Sequence, residues 1–248
     1  MILAVNIGNT RTNAGVLSSE GTLLKNLSCN TSRSQLGYAA FAAALPVGAR
    51  VLCSSVVPEA TTALAEAIRP HGFALEVVTP RSDLGLSFSG LNYAELGADL
   101  FTNALASLYF WNRSVLNVDL GTGSTFCVIR DGVYLGTSIV PGMELSLRAL
   151  TSGAALIKPI ELAKPIKVIN TTTVECVQSG IYYGYLELVR GMINRVQREQ
   201  GKLFVVLTGG IGSFLREELH DVVDVYEPNL TLYGLWVAAQ KIEQFPLA

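Results

Sequence analysis

Charge is scarce in this chain. Lysine, arginine, aspartate and glutamate make up 15% of its 248 residues, 18 basic against 20 acidic, for a net charge of −2. That balance lacks the concentrated positive field that binding a phosphate backbone requires, so nucleic acid is not an expected partner. Histidine is represented only by His71 and His220, and the four cysteines, Cys29, Cys53, Cys127 and Cys176, show no CxxC spacing. These residues are too few and too scattered for a zinc site, and the thiols read as small apolar fillers in a reducing, cytoplasmic setting. Long apolar runs are also missing despite a mean hydropathy of +0.39. A stretch such as Phe41 to Leu52 is broken by Pro46, Gly48 and Arg50 well short of the ~18 residues a membrane helix needs. Met1–Val5 lacks the basic residues of a signal peptide. Neither the P-loop pattern nor GxGxxG occurs, which disfavours helix-cradled nucleotide binding of those types.

Half of the residues are apolar, enough to bury a sizeable core. The length lies at the limit of one core, near ~250 residues, so two lobes are expected, residues 1–112 and 113–248. Internal repetition supports the division. Val5-Asn6-Ile7-Gly8-Asn9-Thr10-Arg11-Thr12 recurs in pattern, nearly half a chain later, as Val118-Asp119-Leu120-Gly121-Thr122-Gly123-Ser124-Thr125. In each copy an apolar run (Ile2–Val5, Val115–Val118) ends at a small polar residue and turns through glycine and hydroxyl residues. A strand pattern then resumes (Asn13–Leu17, Phe126–Ile129), which reads as one β-hairpin per lobe.

The rest alternates. In the first half we expect strand Val51–Val57, helix Glu59–Arg69, strand Leu75–Val78 and a helix near Asp99 that buries Ala104, Leu108 and Trp111. In the second half we expect strand Val133–Val140 closed by Pro141-Gly142, a helix beginning over Glu144–Leu150, and a long helix Gly180–Glu199 carrying Ile181, Tyr185, Leu188, Met192 and Val196. Strand Leu203–Leu207, turn Thr208-Gly209-Gly210, helix Ile211–Leu219, strand Val222–Tyr226 and helix Leu232–Ile242 complete an α/β order.

Backbone amides of glycine- and threonine-containing hairpins form nests that attract phosphate. A polar residue at each strand end, Asn6 and Asp119, would sit beside those phosphates, where a carboxylate can hold Mg²⁺ directly or through water. Simpler roles remain open on the residues alone. Asp99 would serve as a helix N-cap accepting from the amide of Phe101 or Thr102. Asp119, Asn6 and Asn9 would serve as turn formers. Gly180, Gly184 and Gly191 would ease close helix packing, within the chain or across a dimer. Asn103, on the same helical face as Asp99, points toward a polar cleft.

In order along the chain stand Asn6-Ile7-Gly8-Asn9-Thr10, Ser54-Ser55-Val56-Val57-Pro58, Gly97-Ala98-Asp99, Asn103-Ala104 and Asp119-Leu120-Gly121-Thr122. Pro141-Gly142, Gln178-Ser179-Gly180-Ile181, Thr208-Gly209-Gly210 and Gly234-Leu235 follow. Over essentially its full length the sequence resembles the type III pantothenate kinases. The resemblance implies an α/β fold of two ribonuclease H-like (actin-like ATPase) lobes with a nucleotide cleft between them. It also implies a cytoplasmic homodimer and ATP-dependent phosphorylation of pantothenate, the first step of coenzyme A synthesis, with Mg²⁺ and a monovalent cation, K⁺ or NH₄⁺. Carried over by position, Asn6, Gly8, Asn9, Thr10, Gly121, Thr122, Gly209 and Gly210 would contact ATP and its phosphates. Asp99 would be the general base, and Gly97, Ala98, Asp99 and Thr171 would line the pantothenate site. Asp119, with Asn6, would face the metal.

The chain departs from the family pattern at Asn6, usually an aspartate, and at Leu100, usually an arginine. It departs also near Gly90-Leu91, usually a tyrosine, and at Cys127, often an acid. Asn6 brings no charge to a divalent ion and Leu100 no fork for a carboxylate. They leave a second reading open, an impaired paralogue that binds nucleotide in a regulatory role or phosphorylates another small hydroxylated acceptor.

Overall fold

The computed structural model describes residues 1–244 apart from Val47 and Leu91, so the Gly90-Leu91 comparison lies partly outside the described residues. In chain order the elements are β1 Ile2–Ile7, β2 Arg11–Leu17, β3 Leu23–Asn30, α1 Ala39–Ala43, β4 Arg50–Ser55, α2 Pro58–Ile68, β5 Leu75–Val77, β6 Ser87–Phe88 and α3 Ala98–Trp111. They continue with β7 Val115–Leu120, β8 Gly123–Arg130, β9 Val133–Pro141, α4 Met143–Gly153, α5 Thr173–Gln200, β10 Phe204–Thr208, α6 Gly212–Leu215, β11 Val225–Tyr226 and α7 Leu230–Gln244.

The chain forms two compact units. Unit 1 holds Met1–Arg113, Asp131–Leu135 and the segment from Asn229 onward; unit 2 holds Ser114–Arg130 and Gly136–Pro228. Helix α7 therefore counts with unit 1, a return of the chain that linear order does not announce.

The unit 1 sheet has strand order β3-β2-β1-β4-β5, with β1, β4 and β5 parallel and β2 and β3 antiparallel to their neighbours. Its central strand β1 is apolar at successive positions because both of its faces are covered. Leu3, Val5 and Ile7 face a core shared with α1 and α2. By the alternation of a strand, Ala4 and Asn6 lie on the other face. Helix α2 starts with Pro58 in its first turn and Glu59 near its N-terminus, both favourable there, and buries Ala60, Ala63, Leu64, Ala67 and Ile68. Helix α3 ends at Asn112 in a left-handed conformation and packs on α7. The two helices approach so closely that a Cβ at Gly234 would fall 1.9 Å from the Thr102 carbonyl oxygen.

In unit 2, β7, β10 and β11 run parallel, β8 is antiparallel to β7, and β9 follows in the order β11-β10-β7-β8-β9. The duplicated sequence is thus a duplicated structure. Each repeat is an antiparallel hairpin whose first strand has a parallel neighbour on its other side. Asn6 is paired in register with Ser54 on β4, and Asp119 with Thr208 on β10.

Several elements differ from expectation. Strand β3 was not foreseen, since its residues alternate between half-buried and exposed and carry no apolar run. Helix α5 starts at Thr173 rather than Gly180. Thr172 caps it, accepting from the Glu175 amide at 3.3 Å and donating to the Glu175 carboxylate at 2.7 Å, a Thr-x-x-Glu pair whose spacing is visible in the sequence. Its buried stripe is Tyr182, Tyr185, Leu186, Val189 and Ile193, and Leu188 is exposed. The helix after Gly209-Gly210 is confined to Gly212–Leu215 and the strand after it to Val225–Tyr226.

Candidate functional site

The first turn joins β1 to β2 through Gly8, Asn9 and Thr10. It closes with the Gly8 amide donating to the Arg11 carbonyl at 3.0 Å, and Asn9 and Thr10 are exposed. Asn6 Oδ1 and Ser54 Oγ are both buried without a hydrogen-bonding partner, and their register pairing places them side by side on one face. An unpaired buried polar atom costs about 1–3 kcal/mol, so two adjacent ones call for a polar partner that the chain itself does not supply.

The second turn, Gly121-Thr122 between β7 and β8, is held by two more glycines. The Gly142 amide donates to the Thr122 carbonyl at 2.9 Å. A Cβ at Gly142 would lie 2.0 Å from the Gly121 oxygen and 2.6 Å from that of Thr122. On the other strand edge Gly209 adopts φ +87°, and a Cβ there would meet the Leu120 carbonyl oxygen at 2.5 Å and Asp119 Oδ1 at 2.6 Å. Both positions require glycine by space, and Gly209 also by conformation. The next turn is drawn in, with the Ile211 amide donating to the Leu120 carbonyl at 3.1 Å. Behind the turn the Tyr185 hydroxyl hydrogen-bonds Ser124 Oγ. Burial pushes the Tyr185 phenol up, assisted by the negative charge of Asp119. Opposite Asp119 in register, Thr125 Oγ1 is buried without a partner. Asp119, Gly121, Thr122 and Gly209 therefore lie together in unit 2, with Gly210 next in the chain.

Asp99 lies in the first turn of α3, behind an N-cap that is Gly97. Its Oδ1 accepts from the Leu100 amide at 2.8 Å, so the capping role toward Phe101 or Thr102 is not the one it plays. A Cβ on Gly97 would fall 2.5 Å from that oxygen, and the absence of a side chain there is what admits the carboxylate. Desolvation by burial raises the Asp99 pKa, with the backbone hydrogen bonds opposing it. The Leu100 side chain that follows is buried. Asn103 does not point into a cleft. It is buried and accepts from Thr231 Oγ1 of α7 at 2.7 Å, a bond between helices. Thr171 is exposed, just before the α5 cap, and Cys127 is buried, accepting from Thr137 Oγ1 at 3.5 Å.

Sequence reasoning missed Ser54 and Gly142 as shape-determining partners, although both stand inside the motifs, and named Gly97 without its role of making room for the Asp99 carboxylate. For Ser54 and Gly142 the signal is a small residue beside a strand end or turn, legible only once the pairing is known; for Gly97 it is a bare helix N-cap two residues before the acid.

Within unit 2, Asp119 offers a carboxylate and its register partner Thr208 a neutral oxygen that a divalent cation could use; within unit 1, Asn6 offers only a neutral amide oxygen. Among the described residues no group of three acidic, histidine or cysteine side chains could hold a metal alone.

Known proteins agree with this architecture. Over nearly its whole length the chain resembles solved structures of two other proteins. One is the activator of 2-hydroxyisocaproyl-CoA dehydratase from Clostridium difficile, solved with bound ADPNP, at TM-score 0.57 and 11% identity, covering 98% of this chain and 96% of that one. The other is the polyphosphate/ATP-glucomannokinase from Arthrobacter sp. strain KM, at TM-score 0.52 and 16% identity, covering 98% of each. At such identities the likeness shows the fold alone, an α/β chain built on two sheets. The family model for type III pantothenate kinase matches residues 2–195. The type III pantothenate kinases of Dehalococcoides mccartyi and Syntrophotalea carbinolica are each 34% identical to it, the first over 96% of this chain and 97% of its own, the second over 95% and 96%. The chain belongs to the type III pantothenate kinase family.

Proposed function

We propose that this protein transfers the γ-phosphoryl group of ATP to the primary hydroxyl of pantothenate, releasing ADP and 4′-phosphopantothenate at the entry to coenzyme A synthesis. One observation carries the assignment of the base. Asp99, within the Gly97-Ala98-Asp99 segment, is a desolvated carboxylate whose Oδ1 is fixed by an amide. In this reading its carboxylate would take the hydroxyl proton as the O–P bond forms and the bond to the β-phosphate oxygen breaks.

The amides of Gly8, Asn9 and Thr10 and of Gly121 and Thr122 would bind phosphate oxygens, with Gly209 and Gly210 on the nucleotide side and Thr171 near pantothenate. Most of the rate would come from positioning and charge neutralisation rather than covalent chemistry. Mg²⁺, when bound, neutralises phosphate charge. Asp119 is the carboxylate that would hold it, Asn6 would offer only a neutral oxygen, and a monovalent cation, K⁺ or NH₄⁺, is expected from the family resemblance. A neutral Asn6 and Leu100 point to weaker metal and carboxylate recognition than an aspartate and arginine would give.

A homodimer through unit 2 fits its exposed apolar residues, Leu156, Ile166, Ile169, Val174 and Leu188, and the open flank of α5 at Gly180, Gly184 and Gly191. Among the described residues no helix is long and apolar enough to cross a membrane. A coupled assay of ADP release tests the function. Release that depends on pantothenate supports it; release with another hydroxylated acceptor alone would refute the assignment.

A further inference from the structure

We propose that Tyr38, Thr12 and Thr31 form a one-way chain of hydroxyls that presets the first turn for polyphosphate, which makes them positioning residues of the nucleotide site. The proposal rests on reading Gly8–Thr10 as a phosphate turn.

The chain begins in the core. Tyr38 is fully buried, and its oxygen accepts from the Ser32 amide at 3.3 Å and lies 2.8 Å from Oγ1 of the equally buried Thr12. Thr12 Oγ1 is 3.1 Å from Thr31 Oγ1, which donates to the Gly8 carbonyl at 2.7 Å. Proton counting fixes the direction. A carbonyl only accepts, so the Thr31 proton is committed to Gly8. Thr12 must then donate to Thr31, and Tyr38 to Thr12. Each hydroxyl donates once and accepts once, an arrangement in which successive bonds polarise one another.

The end of the chain sets the geometry of the turn. A trans peptide is planar, with its C=O and N–H pointing in opposite directions. Drawing the Gly8 carbonyl toward Thr31 turns the Asn9 N–H the other way, away from the sheet. Thr31 holds the turn a second time, its amide donating to the Thr10 carbonyl at 3.0 Å. One residue just beyond β3 thus binds two of the turn's carbonyls, those of Gly8 and Thr10, and amides preset in this way form an anion nest without reorganising when the ligand arrives. Tyr38 and Thr31 lie outside every repeated or family-like segment of the sequence, and only the fold brings them to the turn.

Calorimetry of the full-length protein with ATP, together with the KM for pantothenate, tests this. Tyr38→Phe and Thr31→Val are each expected to weaken ATP binding about three- to tenfold, the scale of one lost hydrogen bond. The pantothenate KM should hold, and the double variant should be little worse than the poorer single one, because both break the same chain. Thr31→Ser, which keeps the hydroxyl, should bind ATP as the parent does. Unaltered ATP affinity in Tyr38→Phe and Thr31→Val, with or without a lower melting temperature, would reduce the chain to a structural role and overturn the proposal. Tyr38→Phe removes one oxygen and keeps the test available if Thr31→Val does not fold. Asn9→Pro deletes the outward amide itself. If it binds ATP normally the phosphate-turn reading fails, whatever the hydroxyls do.

Discussion

Gly142 offers the sharpest perturbation of the second turn. Replacing it by alanine places a methyl 2.0 Å from the Gly121 oxygen and 2.6 Å from the Thr122 oxygen. Both obstacles are backbone, so no side chain can swing aside, and ordinary contact begins only at 3.4 Å. The turn must therefore retreat by more than an ångström. Overpacking of this kind costs about 1–3 kcal/mol. In a chain of this size that lowers the melting temperature by roughly 2–4 °C per kcal/mol. The effect on turnover should be larger, because a displacement of about 1 Å at a positioned phosphate can cost on the order of 10²-fold. Gly142→Ala is therefore expected to stay folded, to melt several degrees lower, and to lose most of its ATP-dependent activity through weaker nucleotide binding. Gly153→Ala is the control, since nothing lies within 4 Å of a Cβ there. Thermal melts, ATP calorimetry and the coupled assay together read the result. Parental ATP affinity and activity in Gly142→Ala would refute the claim that this turn binds phosphate.

Further expectations follow from Asp99 and its surroundings. Asp99→Asn should lower turnover by about 10²–10⁴-fold, the usual contribution of a general base. The same change should raise stability at neutral pH. A carboxyl whose folded pKa is raised binds protons more tightly when folded, so its stabilising effect is present at low pH and is lost as pH rises from the ordinary aspartate range through the raised folded value. A melting temperature of Asp99→Asn at or below the parent's at pH 7 would contradict that desolvation. The acid limb of the pH–rate profile should likewise lie above the ordinary aspartate range. Gly97→Ala should move the Asp99 carboxylate and lower kcat with little loss of ATP affinity; equal kcat would show the close approach to be unimportant. Asn6→Asp should strengthen the dependence of ATP binding on Mg²⁺, read by calorimetry with and without the ion, and an unchanged dependence would place Asn6 outside the metal's reach.

The twin hairpins were legible because each combines a short apolar run, a strand-end polar residue and a glycine turn. These are local signals, and the register Asn6↔Asn13 and Asp119↔Thr125 realises them. Asp99 was legible only through the segment around it. Its environment depends on the burial of α3 and the bare backbone of Gly97, which no periodicity reports. Asn103 shows the limit of helical-face arguments, because spacing put it beside Asp99 while packing against Thr231 took its side chain to α7. The early start of α5 was readable in Thr172 and Glu175 and was obscured by Gly180, whose poor helix propensity suggested a boundary. Gly142, Ser54, Thr31 and Tyr38 were not legible, because each matters through a neighbour distant in sequence.

Purified protein incubated with ATP, Mg²⁺, K⁺ and pantothenate, followed by mass spectrometry of the products, addresses the central claim directly. The account requires one 4′-phosphopantothenate for each ADP formed by the parent chain and almost none by Asp99→Asn. ATP bound without phosphorylated pantothenate, or product formed equally by both proteins, would contradict it.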